Sequence, residues 1–478
     1  SNLTGIGASI APLFYQPDPY DTGVLLDAGI GITFNQQVKA GTGNVTLSIA
    51  NAGVAGTVVE NFGVGSSVSI SENRITINPT ADINATQIYH ISYPSGCFTN
   101  NEGTDYVGTA YTFEGRAYSY ELWGLGRDIK GSLGQNSQTH YSSPVQVPGT
   151  NWEHLYDTNG RVDHVTVVKS DGTLWSWGYN SSGGLGLNDT VHRSSPTQLP
   201  GTTWRSGAHN EHNTMATKSD GTLWMMGRGR AGVLGFNVPG GDDVNRSSPI
   251  QVPGTTWSND PDKNAMIDSS AAAIKTDGTL WVWGSNPSGA LGDNSAVSRS
   301  SSVQVPGTTW KQVDGGYAAF AAVKTDGTLW IWGQSISGQL GQNESGSHPA
   351  YNNSRSSPTQ IPGTTWSQVS GAGNYARFYA VKTDGTLWAW GYNDNGALGD
   401  NSAVSRSSPV QVPGTTWSEV ESVTIGARGL KTDGTLWGWG KNDYGDLGQN
   451  NTTAYSSPVQ LPGTDWYKAM GQMLQKRV

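Results

Sequence analysis

One phrase, Asp-Gly-Thr-Leu-Trp, occurs six times in this chain, ending at Trp175, Trp224, Trp281, Trp330, Trp388 and Trp437. A degenerate seventh copy is Glu121-Leu122-Trp123. Successive tryptophans in this series lie 52, 49, 57, 49, 58 and 49 residues apart, which fits a 49-residue unit with occasional insertions. Self-similarity at such a period decides the architecture before any local propensity, because each unit buries its apolar face only against its neighbours. A second phrase, Pro-Gly-Thr-x-Trp, occurs seven times, ending at Trp152, Trp204, Trp257, Trp310, Trp366, Trp417 and Trp466. Five units add a Trp two places after the first: Trp177, Trp283, Trp332, Trp390 and Trp439. Together these account for all 19 tryptophans of the chain, so each one sits on the repeat grid.

Each unit reads as four short strands. The first follows Pro-Gly-Thr-x-Trp, and the second is a small apolar run such as Ala271–Lys275 or Ala319–Lys324. The Asp-Gly that comes next is a strong hairpin signal, since glycine supplies the positive φ of such turns. Thr-Leu-Trp-x-Trp-Gly is the third strand, its two tryptophans on one side and the leucine on the other. Pro-Val-Gln-Val-Pro-Gly is a short fourth strand, with prolines suited to a sheet edge. Seven such units in tandem predict an all-β, seven-bladed propeller over residues 115–478. The first blade has Ala117–Leu125 and Pro144–Pro148 but lacks a Trp-led strand, which Trp466 onward supplies. The C-terminal segment is therefore expected to close the ring.

Composition agrees with this reading. Gly 65 alone would suit disorder, but 19 tryptophans require burial. Charged residues are only 14% of the chain, and the net charge of −9 is spread without an acidic block. Basic runs are absent apart from Lys476-Arg477, so nucleic acid is not an expected partner. A single cysteine, Cys97, rules out an internal disulfide and is expected in the core or a loop of the first domain. No window approaches 18 apolar residues, so no membrane insertion by a helix is expected. The opening SNLTGIGASIAPLFYQ has neither a basic region nor a continuous apolar run and does not read as a secretory signal.

The run Trp390-Gly391-Tyr392-Asn393 through Gly396-Ala397-Leu398-Gly399, with Ala380–Trp388 before it, resembles the repeat of the regulator-of-chromosome-condensation family. His164, seven residues before Asp171, falls where that family often places a strand histidine. The resemblance covers roughly residues 116–478 and implies a seven-bladed propeller. It does not carry over guanine-nucleotide exchange, whose loop residues are not matched here, and the basic N-terminal tail of the chromatin-binding members is absent. Other propellers of this look, mostly bacterial, are protein-binding surfaces.

Residues 1–114 contain no tryptophan and are rich in Val, Ile, Thr and Asn. Short runs at Ile30–Phe34, Val45–Ile49, Val68–Ile70, Ile75–Ile77 and Ile88–Ile91, parted by Gly, Asn and Pro, predict an immunoglobulin-like β-sandwich. Ile32–Leu47, Tyr89–Tyr93 and Asn100–Gly103 resemble bacterial Ig-like domains of the S-layer type. Such domains serve as spacers or docking modules on exported, surface and virion proteins.

No catalytic motif appears: there is no Gly-x-Ser-x-Gly, phosphate loop or paired-histidine zinc motif. His209 and His212 are the nearest approach to a metal site, but residues three apart on a strand face opposite sides. An ordinary strand entry is the expected reading. The recurring Asp of the repeat is expected to be turn chemistry. The lysines before it (Lys169, Lys218, Lys275, Lys324, Lys382, Lys431) read as solvated strand ends. The arginines before each Ser-Ser pair (Arg193, Arg246, Arg299, Arg355, Arg406, with Tyr141 and Tyr455 at the same place) read as a repeated contact between blades. Accordingly no enzyme, cofactor, metal or catalytic residue is expected.

Function is sought where the copies depart from the pattern, since loops on a rigid scaffold carry binding. Blade three has Arg228–Arg246, followed by Ser258–Ser270, and blade five has Gln342–Arg355. Asp242, Asp243, His348 and Tyr351 are the binding residues these insertions offer. The whole points to a structural or binding protein on a particle surface, most concretely a bacteriophage virion protein (capsid decoration, or fibre or tail component). Its N-terminal domain would dock to other virion or surface-layer proteins, and its loops would meet a host receptor or glycan. The alternatives are a bacterial surface adhesin or S-layer protein, and a soluble protein-binding propeller.

Overall fold

The computed structural model describes residues 12–16, 22–25, 30–34, 36–51, 54–71, 73–77, 79, 87–116, 120–155, 163–237, 244–344, 353–372, 375–423 and 426–477. The chain divides into two compact units, Ser1–Tyr118 and Ser119–Val478.

In the first unit, two sheets enclose one core. Pro12–Gln16, Ile30–Phe34, Arg74–Ile77 and Ser69–Ser71 form one, in that order. Thr22–Leu25, Thr109–Arg116, Ile88–Tyr93, Asn44–Asn51 and Val54–Gly63 form the other. Ile30, Ile32 and Phe34 of the first sheet, with Val45, Leu47, Ile91 and Phe113 of the second, belong to one buried cluster. The alternation that marks these strands in the sequence is what puts those side chains on one face. Cys97 is buried in the same cluster, and burial pushes its thiol up. Val54–Gly63 was not anticipated; its first five residues are exposed, so it lacks the alternation that betrays a half-buried strand.

Seven four-stranded sheets make up the described residues of the second unit. Blade two runs Trp152–Leu155, His164–Lys169, Leu174–Gly178 and Arg193–Gln198, all antiparallel neighbours. Blades three to seven repeat that order from Trp204, Asn264, Trp310, Trp366 and Trp417. The fourth strand begins earlier than the sequence implied, at the Arg or Tyr before Ser-Ser. Pro196, Pro358 and Pro409 therefore sit inside it, on the outer edge where a missing N–H is harmless. Blade one is composite. Tyr120–Gly126 pairs on one side with Tyr141–Gln146 and on the other with Met473–Arg477, which in turn pairs with Trp466–Met470. The C-terminal segment thus closes the ring as two strands rather than one.

Neighbouring blades are stitched by a recurrent bond. The backbone N–H of Asn136 donates to Ser194 O at 2.7 Å, and Asn188, Asn237, Asn294, Asn343 and Asn401 reach the matching serine of the next blade. Asn450 completes the circle on Ser142 O at 3.0 Å. All seven of these asparagines hold positive φ, which Asn tolerates better than other side chains.

Candidate functional site

Every blade presents two ends, and they differ in kind. At one end lie the Asp-Gly turns and the Pro-Gly-Thr loops. Asp171 Oδ1 accepts from Thr173 N at 2.9 Å and from Thr173 Oγ1 at 2.6 Å, and Thr173 Oγ1 accepts from Trp175 Nε1 at 2.8 Å. The same three bonds recur at Asp220, Asp277, Asp326, Asp384 and Asp433. The threonine hydroxyl is the main reason each of these carboxyls is held below its usual range. The lysines are not simply solvated. Lys169 Nζ lies 4.3 Å from the Trp152 ring and 4.8 Å from the Trp175 ring, and all six lysines are lodged between two indoles in this way. The cation is drawn to the ring faces while its stem covers apolar surface. This end is spent on structure, six times over.

At the other end emerge the turn between the first two strands and the long loop between the last two. Asn180, Asn286, Asn393 and Asn442 are buried at the root of that loop in blades two, four, six and seven. Asn393 Oδ1 accepts from Leu398 N at 2.8 Å, while its Nδ2 donates to Ser402 O at 3.2 Å and Val404 O at 3.0 Å. The other three make the corresponding bonds. One amide thus clamps the loop at three points.

The repeated arginines serve the same loops, which corrects the expectation of an inter-blade contact. Arg193 pairs with Asp189 at 2.6 Å, Arg299 with Asp293 at 2.9 Å and Arg406 with Asp400 at 2.7 Å, and Arg355 pairs with Glu344. Each pair lies within one blade, because the folded loop returns an acidic side chain to the start of the outer strand. Arg246 instead lies 5.2 Å over the Phe236 ring.

The inner strands of neighbouring blades are tied to one another by glutamines. Gln312 Nε2 donates to Val369 O at 3.2 Å and Gln312 Oε1 accepts from Val369 N at 2.9 Å; Gln368 does the same to Val420. The short turn Pro261–Lys263, part of the departure after blade three, reaches inward so that Asp262 lies 3.9 Å from Lys468 of blade one. Burial would lower the Lys468 ammonium, but Asp262 and then Glu419 outweigh it and hold it above the usual lysine value. Burial raises the Glu419 carboxyl beside them. About 40 Å³ remains open here, room for a few waters and no more.

His209 and His212 do not converge. His209 is buried with its ring 4.8 Å from that of His164, while His212 sits in the following turn beside Glu211 at 3.7 Å. His164 Nε2 and Thr214 Oγ1 are 2.9 Å apart. Burial drives His164 down to about 4 and His209 well below its ordinary value, so both are neutral at pH 7. Among the described residues no three His, Cys, Asp or Glu side chains are grouped to hold a metal.

Asp242, Asp243, His348 and Tyr351 lie outside the described residues. What flanks them is described. In the seam between blades four and five, Arg230, Asp268, Ser269, Ser285, Tyr317 and Gln334 surround an open cavity of about 320 Å³. The sequence reading missed this groove, although Gln334-Ser335 in place of the usual x-Asn was a visible departure.

Comparison with known proteins matches this geometry. The repeat described as "Regulator of chromosome condensation (RCC1) repeat" matches residues 171–205, 326–376, 384–429 and 433–469, and a bacterial Ig-like domain matches residues 12–116. Among solved structures, Prp20p from Saccharomyces cerevisiae, described with its binding to Gsp1p and histones, is similar with a TM-score of 0.63 at 17% identity. That match covers 75% of this chain and 91% of the other. Human WBSCR16 is similar at 0.63 and 18%, covering 75% of this chain and 99% of its own. Yeast RCC1 (Prp20) bound to Kap60 gives 0.62 and 16%, covering 76% and 89%. At such identities the likeness concerns the fold, and the architecture fits a binding protein. The chain carries RCC1 repeats, folded as a propeller of that type, behind a bacterial Ig-like domain.

Proposed function

We propose that this chain is a non-enzymatic binding protein displayed on a particle surface, most concretely a bacteriophage virion protein serving as a capsid decoration or as a fibre or tail component. The observation that carries the reading is the contrast between the two ends of the blades. One end is uniform and committed to turn and indole contacts, while the other varies from blade to blade. That is how a scaffold for contact is organised. The Ig-like domain acts as the docking or spacer module toward other virion or surface-layer proteins, and the variable loops meet the host.

Mass spectrometry of purified particles tests this. The chain is expected among the structural proteins at constant stoichiometry. Its absence from particles, together with recovery from a bacterial cell-surface fraction, would replace the reading with that of an adhesin. A single soluble partner in stoichiometric pull-down would favour the protein-binding reading instead.

A further inference from the structure

We propose that the groove over the seam of blades four and five is a saccharide-binding site; the proposal takes the display reading as its setting and names the ligand class. The cavity of about 320 Å³ lies between Ile267–Ser270 of blade four, the exit of its third strand at Ser285–Ser288, and Tyr317 and Ala318 of blade five. A wider hollow of about 570 Å³ shares Pro287, Ser288 and Gln334 with it and continues to Ser354 and Ser356. The two form one trough, of the size that takes small ligands.

Three observations set its chemistry. Tyr317 is 40% exposed beside the cavity, so an aromatic face is open to a ligand. Gln334 is nine-tenths buried and lines both hollows, yet its carboxamide makes no hydrogen bond to any described residue. Its polar atoms are not sealed in but open to the cavity, so a ligand hydroxyl or acetamido group can take the place of water on them. At the rim, Arg230 and Asp268 stand 3.9 Å apart with both side chains more than half exposed, one a donor and the other an acceptor. Ser270 Oγ donates to Ser285 O at 2.7 Å and holds the wall between them.

An aromatic platform, a carboxamide that both donates and accepts, and a balanced pair of charges suit a sugar ring with its apolar face and its ring of hydroxyls. One arginine opposed by one aspartate does not favour a phosphate or another strongly charged ligand. Pro287, Ala290 and Ile267 give too little apolar lining for a lipid.

The test uses the full chain on a glycan array, then titration of the best glycan against variants. At least one glycan is expected to bind, with Tyr317→Ala and Gln334→Leu each weakening it tenfold or more. Tyr392→Ala, a similarly exposed tyrosine outside the groove, leaves affinity unchanged. Gln334→Leu removes no hydrogen bond, so an unchanged melting temperature shows that lost binding is not unfolding. Absence of any bound glycan, or full binding by Tyr317→Ala, overturns the proposal. Particle composition is read separately: a chain present on particles that binds no glycan sinks this site alone. A chain that binds glycan through Tyr317 and Gln334 but is absent from particles sinks the display reading alone.

Discussion

Blades two, four, six and seven root their long loop on a buried asparagine, whereas blades three and five have Gly229 and Ser335 at that place. The interval from each of Asn180, Asn286, Asn393 and Asn442 to the Arg or Tyr that opens the outer strand is 13 positions. From Gly229 to Arg246 the interval is 17, and from Ser335 to Arg355 it is 20. Fixed length and the asparagine go together. An amide that donates to two carbonyls and accepts one N–H fixes the span it closes, so a residue cannot be added without breaking bonds in a buried place. Where the amide is missing, length is free to vary, and those two blades carry the insertions. Blade one stands between, with thirteen residues after Asp128, whose Oδ1 accepts from Gly131 N at 2.7 Å.

The contrast breaks most readily at Asn393. Asn393→Ala leaves the buried Leu398 N without its acceptor and removes the donors for the part-buried Ser402 O and Val404 O. The expected loss is about 3 kcal/mol in chemical denaturation, the range for stripping a buried hydrogen-bond network. Ser335→Ala in blade five is expected to cost less than about 0.5 kcal/mol. Equal losses at the two sites would show that the asparagine is not what sets the braced loops apart.

Asp128 sharpens the comparison from inside blade one. Burial raises its carboxyl above the ordinary value, against the pull of the Gly131 and Leu133 N–H groups, and its Oδ2 is buried without a partner. A raised folded value means that the native state holds the proton more tightly than the unfolded chain. Its stabilising contribution is therefore complete below about pH 4, the unfolded value, and is lost as pH rises through the folded one. Asp128→Asn restores the donating half of the clamp with no charge to bury. It is expected to add about 1 kcal/mol at pH 7, with the gain shrinking as the comparison is moved down toward pH 4. A gain of the same size at both pH values would mean that the carboxylate charge is not the cost.

Much of this was legible in the residues. The grid of tryptophans gave seven units, the Asp-Gly turns gave the hairpins, and the missing strand of blade one pointed to the C-terminus, because each is a local or periodic signal. The role of the arginines was not legible. Their spacing of about 50 residues suits a contact between blades, and only the folded loop shows Asp293 or Asp400 returning beside Arg299 or Arg406. The inward turn at Pro261–Lys263 was hidden for a similar reason: Asp262 meets Lys468 from 206 positions away. The groove was half legible, since Ser335 breaks the motif, but the exposure of Tyr317 and the unpartnered Gln334 depend on how two blades meet.

The smallest effect expected is the most discriminating. Deleting residues 345–351 from blade five brings the interval after position 335 to the thirteen residues of the braced blades. Combined with Ser335→Asn, it rebuilds the spacing at which a clamp closes, with Arg355 still opening the outer strand at the Gly333–Arg355 pairing. The deletion loses the Arg355–Glu344 geometry, a partly exposed ion pair worth little by itself. The double change is therefore expected to leave stability within about 0.5 kcal/mol of the parent, even though it removes His348 and Tyr351. Ser335→Asn without the deletion is expected to gain nothing, because the interval of 20 does not match the interval of 13 at which the braced loops close. Thermal melts of the two variants decide it. A large loss in the deletion variant would show that the inserted segment helps to hold blade five together, and that lost bracing is compensated rather than simply tolerated.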